Sequence, residues 1–165
     1  VSAERIAAIV ALGLLGSPAL VGCSELHAPA SEPAAWVEIR STRVEVEVAV
    51  SPEEQRQGLS GRAKLDWGDG MVFLYKTGGF QSFWMIDMRF PIDMVWIRDS
   101  RVVGVHHNVP VPEPDTPHNE LPRYGPKELV DTVLEVPAGY ARAHGWARGD
   151  AVSFGGDASV RSEPR

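Results

Sequence analysis

From residue 43 to residue 50 the chain reads RVEVEVAV, and the alternation puts Val44, Val46, Val48 and Val50 on one side of an extended strand. Arg43, Glu45, Glu47 and Ala49 fall on the other side, so the segment predicts a strand with one face on a core and one in water. Ser51, Pro52 and Glu54 follow as an N-cap, a first-turn proline and the acid of a capping box, predicting a short helix that ends before Gly58 or at Gly61. Further strands are expected over 71–75, 83–87, 92–97, 102–109, 129–136 and 151–154. Within them Val130, Thr132, Leu134 and Val136 repeat the one-faced pattern. The segments 83–87 and 92–97 are apolar on both sides in places, which predicts central strands or strands held between layers. One other helical piece is expected over 138–144, and no internal repeat is present. So many short strands predict a mostly-β fold, a compact antiparallel sandwich or partly closed barrel with one or two short helices.

The amino-terminal part follows different rules. Residues 6–16, IAAIVALGLLG, are uncharged, follow Arg5 and precede Ser17 and Pro18. As a helix this run would span about 16 Å, half of a bilayer core, so a secretory signal peptide over 1–22 is the expectation rather than a permanent span. Leu20, Val21, Gly22 and Cys23 then resemble the bacterial lipobox, in which the cysteine thiol takes a lipid and small residues before it let a peptidase grip the extended chain. Cys23 is the only cysteine, so an internal disulfide is excluded. Ser24 after it is not the aspartate associated with retention at the inner membrane. The expected location is therefore extracytoplasmic, lipid-anchored to a bacterial membrane, with the outer membrane facing the periplasm preferred. Residues 23–35 read as the lipidated cysteine and a polar linker, 36–155 as the β domain and 156–165 as a flexible tail.

Composition narrows the partners. The 165 residues carry 16 Lys plus Arg against 22 Asp plus Glu, a formal charge of -6, with no Lys/Arg block. That argues against a nucleic-acid partner, because the phosphate backbone requires clustered positive charge. With 44% hydrophobic residues the chain has the makings of one folded domain.

Residues 110–126 hold Pro110, Pro112, Pro114, Pro117, Pro122 and Pro126, too few amide donors for a sheet strand, and predict a long surface loop that is either a lid or an inert crossover. Asp87 and Asp93 flank the turn 88–91, and a hairpin there would bring two carboxylates together for acid/base work or a hard cation. The structural alternative has Asp93, set between Ile92 and Met94, buried and paired with Arg62 or Arg89. His106 and His107 are adjacent on a strand and point to opposite faces, with His107 on the side of Val103, Val105 and Val109. A zinc-type site from His106 and His118 is a weak alternative, since the spacings fit no signature. No nucleophile elbow and no phosphate-cradling glycine loop is present, and no cofactor is implied. Trp84 and Trp96 on strands are expected in the core, while Trp67, between Asp66 and Asp69, suits either a tight turn or the rim of a saccharide site.

The segments GLSGRAKL, GMVFLY, SFWMIDMRFPIDMVWI, VVGVHHNVP and LEVPAGYARAHGWARGD, in this order, resemble the family of secreted bacterial and archaeal proteins known as domain of unknown function 192. The matching positions are Gly58, Leu59, Arg62, Gly70, Met71, Phe83, Trp84, Met85, Pro91, Ile92 and Asp93, of which Gly58, Arg62, Gly70, Pro91 and Asp93 are expected to be structural. The resemblance implies a compact mostly-β fold and frequent signal peptides, and brings no activity or ligand. Ile86 and Asp87 depart from the lysine and asparagine typical of the family, and the Pro-rich loop lacks the two cysteines that relatives often carry. The loop is therefore expected to be more mobile, or held by its prolines and Tyr124.

The expected function is an envelope-anchored binding or structural module for an unknown envelope ligand or protein, with Trp67, Trp84, Asp93, His118 and Tyr124 as ligand-binding candidates. Two alternatives stand beside it: a hydrolase or metal-assisted enzyme using Asp87, Asp93 and His107, and a saccharide-binding module.

Overall fold

The computed structural model describes residues 35–156 and Ala158; the expected signal peptide, Cys23, most of the linker and most of the expected tail lie outside them. Trp36–Ile39 forms β1 and Thr42–Ala49 forms β2, joined through Arg40 and Ser41, both with positive φ. A two-residue connection of this handedness matches the right-handed twist of the strands it joins. Pro52–Gln57 is α1, closed at its start by the Ser51 capping box: Glu54 N–H donates to Ser51 Oγ at 3.2 Å and Ser51 N–H to Glu54 Oε2 at 2.8 Å. It ends at Gly58, whose φ of +48° suits glycine and where a Cβ would lie 3.3 Å from the Phe73 ring. Then come β3 (Asp69–Gly79), β4 (Ile92–Arg98), β5 (Arg101–Val109), β6 (Val130–Pro137), α2 (Tyr140–Ala143) and β7 (Val152–Gly155).

The strands make one sheet in the order β5-β4-β6-β3-β2-β1-β7. All ladders are antiparallel except β2 with β3, which departs from the expected purely antiparallel pattern. The reason lies in the connection: α1 and residues 58–68 supply the long crossover that parallel neighbours need. The sheet curls until its edges meet, with Arg101 bridging Ala151 and Val102 N–H donating to Asp150 O at 2.9 Å. The result is mostly β, a curled half-barrel with two short helices.

Curling gives the sheet two apolar faces. The inner one packs Val37, Ile39, Val44, Val72, Val95, Leu134 and Val136 against Tyr140 and Trp146. The outer one carries Met71, Phe73, Ile92, Met94, Trp96 and Val133, covered by Leu59 after α1 and by Met85 and Met88. Val44 and Val46 are buried as the alternation predicts, and Ala49 is buried too, on the outer side.

Residues 83–87 are not a strand. Phe83 makes a single bridge to Tyr124, its N–H donating to Tyr124 O at 2.8 Å and its O accepting from Tyr124 N–H at 2.9 Å; Asp87 then adopts φ +53°. The segment lies over the outer face, so it is apolar because it is sandwiched, not because it is hydrogen-bonded into the sheet. Asp, like the Asn expected there by resemblance, tolerates that left-handed conformation. The side assignment along β5 also changes: Val103 and Val109 pack outward and Val105 inward, because the β4–β5 register shifts twice.

Candidate functional site

Position 135 of β6 lies opposite Met71 of β3 and Met94 of β4. Directly opposed residues share a face, so Glu135 projects with the two methionines into the outer core. It is 5% exposed. Burial disfavours the charged form and pushes its pKa up to about 8. At neutral pH this group is therefore mainly a carboxylic acid. Tyr75, further along β3, is pushed well above the usual phenol range, first by burial and then by the Glu135 charge.

Above Glu135 is a small cleft of about 80 Å³ between the end of α1, β3 and residues 82–88, lined also by Gln57, Ser60, Tyr75, Ser82, Phe83 and Trp84. Its helix wall is fixed by Gln55, whose Nε2 donates to Leu74 O at 2.9 Å, where β3 extends past its ladder with β2. Ser60 Oγ donates to Ile86 O at 2.8 Å and Gly61 N–H to Asp87 O at 2.9 Å, tying the covering segment to the helix. Gly70 lets β3 approach β6 here, since a Cβ on it would stand 2.7 Å from Glu135 O.

Asp93 occupies a different place, at the inner end of β4 beneath α2. Fully buried, it accepts from Asn108 N–H at 2.7 Å, Gly139 N–H at 3.0 Å and Ala141 N–H at 3.0 Å. It thereby caps a helix that has no side-chain cap of its own. The expected arginine partner is replaced by these amides; Arg62 instead makes a two-pronged pair with Glu47, Nη2 to Oε2 at 2.7 Å, holding that carboxyl below its usual range through the hydrogen bond. His107 Nδ1 lies 3.7 Å from Asp93 Oδ2, beyond hydrogen-bond reach.

The other predicted residues disperse. Asp87 is exposed with His118 Nε2 3.9 Å away, so the turn does not unite Asp87 with Asp93; they hold separate partners. His106 Nδ1 accepts from Trp96 Nε1 at 2.6 Å and its ring meets Tyr124 edge-on at 5.9 Å, away from the His118 contact. Its pKa is lowered by burial, then by Lys127 and His107. Trp84 is half-buried under the Arg123 guanidinium, 3.6 Å from its ring centre. Trp67 is 61% exposed, its ring 4.7 Å from that of Tyr140. Among the described residues no group of three His, Cys, Asp or Glu is placed to hold a metal ion. Pro91 precedes β4, its O accepting from Ala138 N–H at 3.3 Å.

Glu135 escaped the sequence reading because strand alternation assigns it to a wet face. The available signal was Val133, which shares that face, together with the nearly continuous apolar strands on either side, GMVFLY and IDMVWI.

No curated protein is a significant match to the chain. Among solved structures it is similar to a protein from Sinorhizobium meliloti 1021 described as a candidate transcription regulator, with 29% identity, a TM-score of 0.64 and coverage of 73% of this chain and 94% of that one. A protein of unknown function from Novosphingobium aromaticivorans DSM 12444 is similar at 27% identity and TM-score 0.63, covering 78% of this chain and 94% of the other. The family model for DUF192, described as "Uncharacterized ACR, COG1430", matches residues 35–154, from the residue before β1 to Phe154 in β7. With the fold and the family motifs spanning the whole described domain, the chain belongs to the DUF192 family.

Proposed function

We propose that the protein is a non-catalytic binding module of the bacterial envelope, tethered through lipidated Cys23, that takes its ligand in the cleft above Glu135. The observation that carries this is the buried Glu135 carboxyl, which lines the cleft and whose charged form is disfavoured by burial. Such a group is expensive to bury and is relieved when a ligand supplies a compensating interaction. A hydrolase built on Asp87, Asp93 and His107 lacks support: Asp93 spends its acceptors on three amides, and Asp87 faces His118. The regulator description belongs to the Sinorhizobium protein, and a net charge of -6 does not favour DNA as the ligand here.

The test is a ligand screen followed by NMR, with the wild type compared to Glu135→Gln. Ligands that shift the Tyr75 and Met85 signals and lose affinity in the variant uphold the cleft; hits that bind both proteins equally place the site elsewhere. The tether is checked by labelled fatty acid incorporation in a bacterial host, which Cys23→Ala abolishes. The exposed ring of Trp67 favours a second reading, saccharide stacking at that face, which Trp67→Ala would remove without affecting the cleft.

A further inference from the structure

The chain has 4 methionines, Met71, Met85, Met88 and Met94, and all of them are buried in the outer core. Met71 and Met94 flank Glu135 across the sheet, in register on the neighbouring strands. Met85 and Met88, on the covering segment, line the same cleft as Glu135. Two methionines thus flank Glu135 within the sheet, and two share its cleft from the covering segment.

Gap-filling explains methionine in a core, yet leucine or isoleucine fills such space with better-defined rotamers, and gap-filling gives no reason for a carboxyl in the middle. A soft cation accounts for both. Thioether sulfur binds copper(I) and silver(I) and discriminates against magnesium, calcium and manganese, which prefer oxygen. One carboxylate balances one positive charge, so a monovalent ion would leave the buried site neutral, whereas a divalent ion would leave a net charge in an apolar layer.

We propose that Met71, Met85, Met88, Met94 and Glu135 form a binding site for a soft monovalent metal ion, copper(I) or its analogue silver(I). This rests on the reading of the cleft as the ligand site and names the ligand. On binding, the carboxylate and thioethers take the ion, any proton on Glu135 going to solvent, and no electron is transferred. The titratable and charged groups near the site are Tyr75 on β3, Arg56 on α1, His106, which pairs with Met94 from β5, and the Glu47–Arg62 pair, with Glu47 opposite Met71 on β2; the covering residues 82–85 and Met88 add none.

The experiment uses the full chain carrying Cys23→Ser, which removes its single thiol as a competitor. Silver(I), and copper(I) under anaerobic reduction against a chromophoric chelator, are titrated with methyl-labelled methionine observed by NMR. One equivalent should shift all four methyl signals. Met71→Leu with Met94→Leu, which conserves volume, should weaken binding at least a hundredfold with an unchanged circular dichroism spectrum, and Glu135→Gln should weaken it as well. Absence of binding at micromolar ion, or binding unchanged in these variants, overturns the proposal. If organic ligands perturb the cleft while silver(I) moves no methionine methyl, the metal assignment falls alone. If neither does, the cleft reading falls with it.

Discussion

Replacing Asp93 by alanine removes the acceptor of three backbone amides, those of Asn108, Gly139 and Ala141, at a site with no solvent access. Hydrogen bonds to a charged group contribute roughly 1.5–3 kcal/mol each, so even at the lower end the three give a loss of about 4–5 kcal/mol. A domain of this size has only about 5–15 kcal/mol in total. At roughly 3–5 °C per kcal/mol, Tm should fall by more than 10 °C. Asn at the same position keeps the shape but turns an amide N–H₂ toward a backbone donor, so about half of the loss is expected. Urea unfolding followed by tryptophan fluorescence measures both, with Glu113→Ala as the exposed control, expected within about 0.5 kcal/mol of wild type. Amide exchange should locate the damage, with Gly139 and Ala141 losing protection first. If Asp93→Ala unfolds within 0.5 kcal/mol of wild type, the capping argument is wrong.

The buried Glu135 makes stability depend on pH with an unusual sign. Its folded pKa, pushed up to about 8, lies above the ordinary value of 4.5, so the folded state holds a proton that the unfolded chain gives up, and stability falls as pH rises from about 4.5 to 8. The loss by pH 7 should be roughly 3 kcal/mol relative to Glu135→Gln, and parallel urea midpoints for the two proteins across that window would exclude it. Gly70→Ala places a methyl 2.7 Å from Glu135 O and 3.1 Å from Val44, and should cost about 2–3 kcal/mol in thermal unfolding; a neutral result would mean that β3 and β6 separate freely. Arg62→Ala breaks a partly exposed pair and should cost less than about 1 kcal/mol, while the Glu47 carboxyl, followed by NMR, returns upward toward its usual range.

Where a segment has one wet face, its pattern was readable: the valines of β2 and the Ser51 cap appear in the structure as the sequence predicts. Misreadings gather where the sheet is covered on both sides. Residues 83–87 have the apolar density of a strand because they are pressed between layers, and a single chain cannot distinguish that from membership of a ladder. The β2–β3 pairing direction was equally hidden, since strand pattern carries no polarity. In the candidate site, the position of Asp93 was legible as a buried carboxyl but its donors were not, because backbone amides leave no mark in side-chain identity. Glu135 was masked by the very alternation that located its strand.

The Phe83–Tyr124 bridge joins the covering segment to the Pro-rich loop, and Leu121 is buried three residues before it. The stretch between Val109, where β5 ends, and Leu121 is thus moored at both ends, with its apex turn closed locally by Thr116 N–H donating to Glu113 O. Changes of length at that apex are decoupled from the barrel, making residues 113–116 a natural graft point: an epitope or fluorophore-binding peptide inserted there would report from the surface while Phe83 and Tyr124 keep the layer beneath it closed.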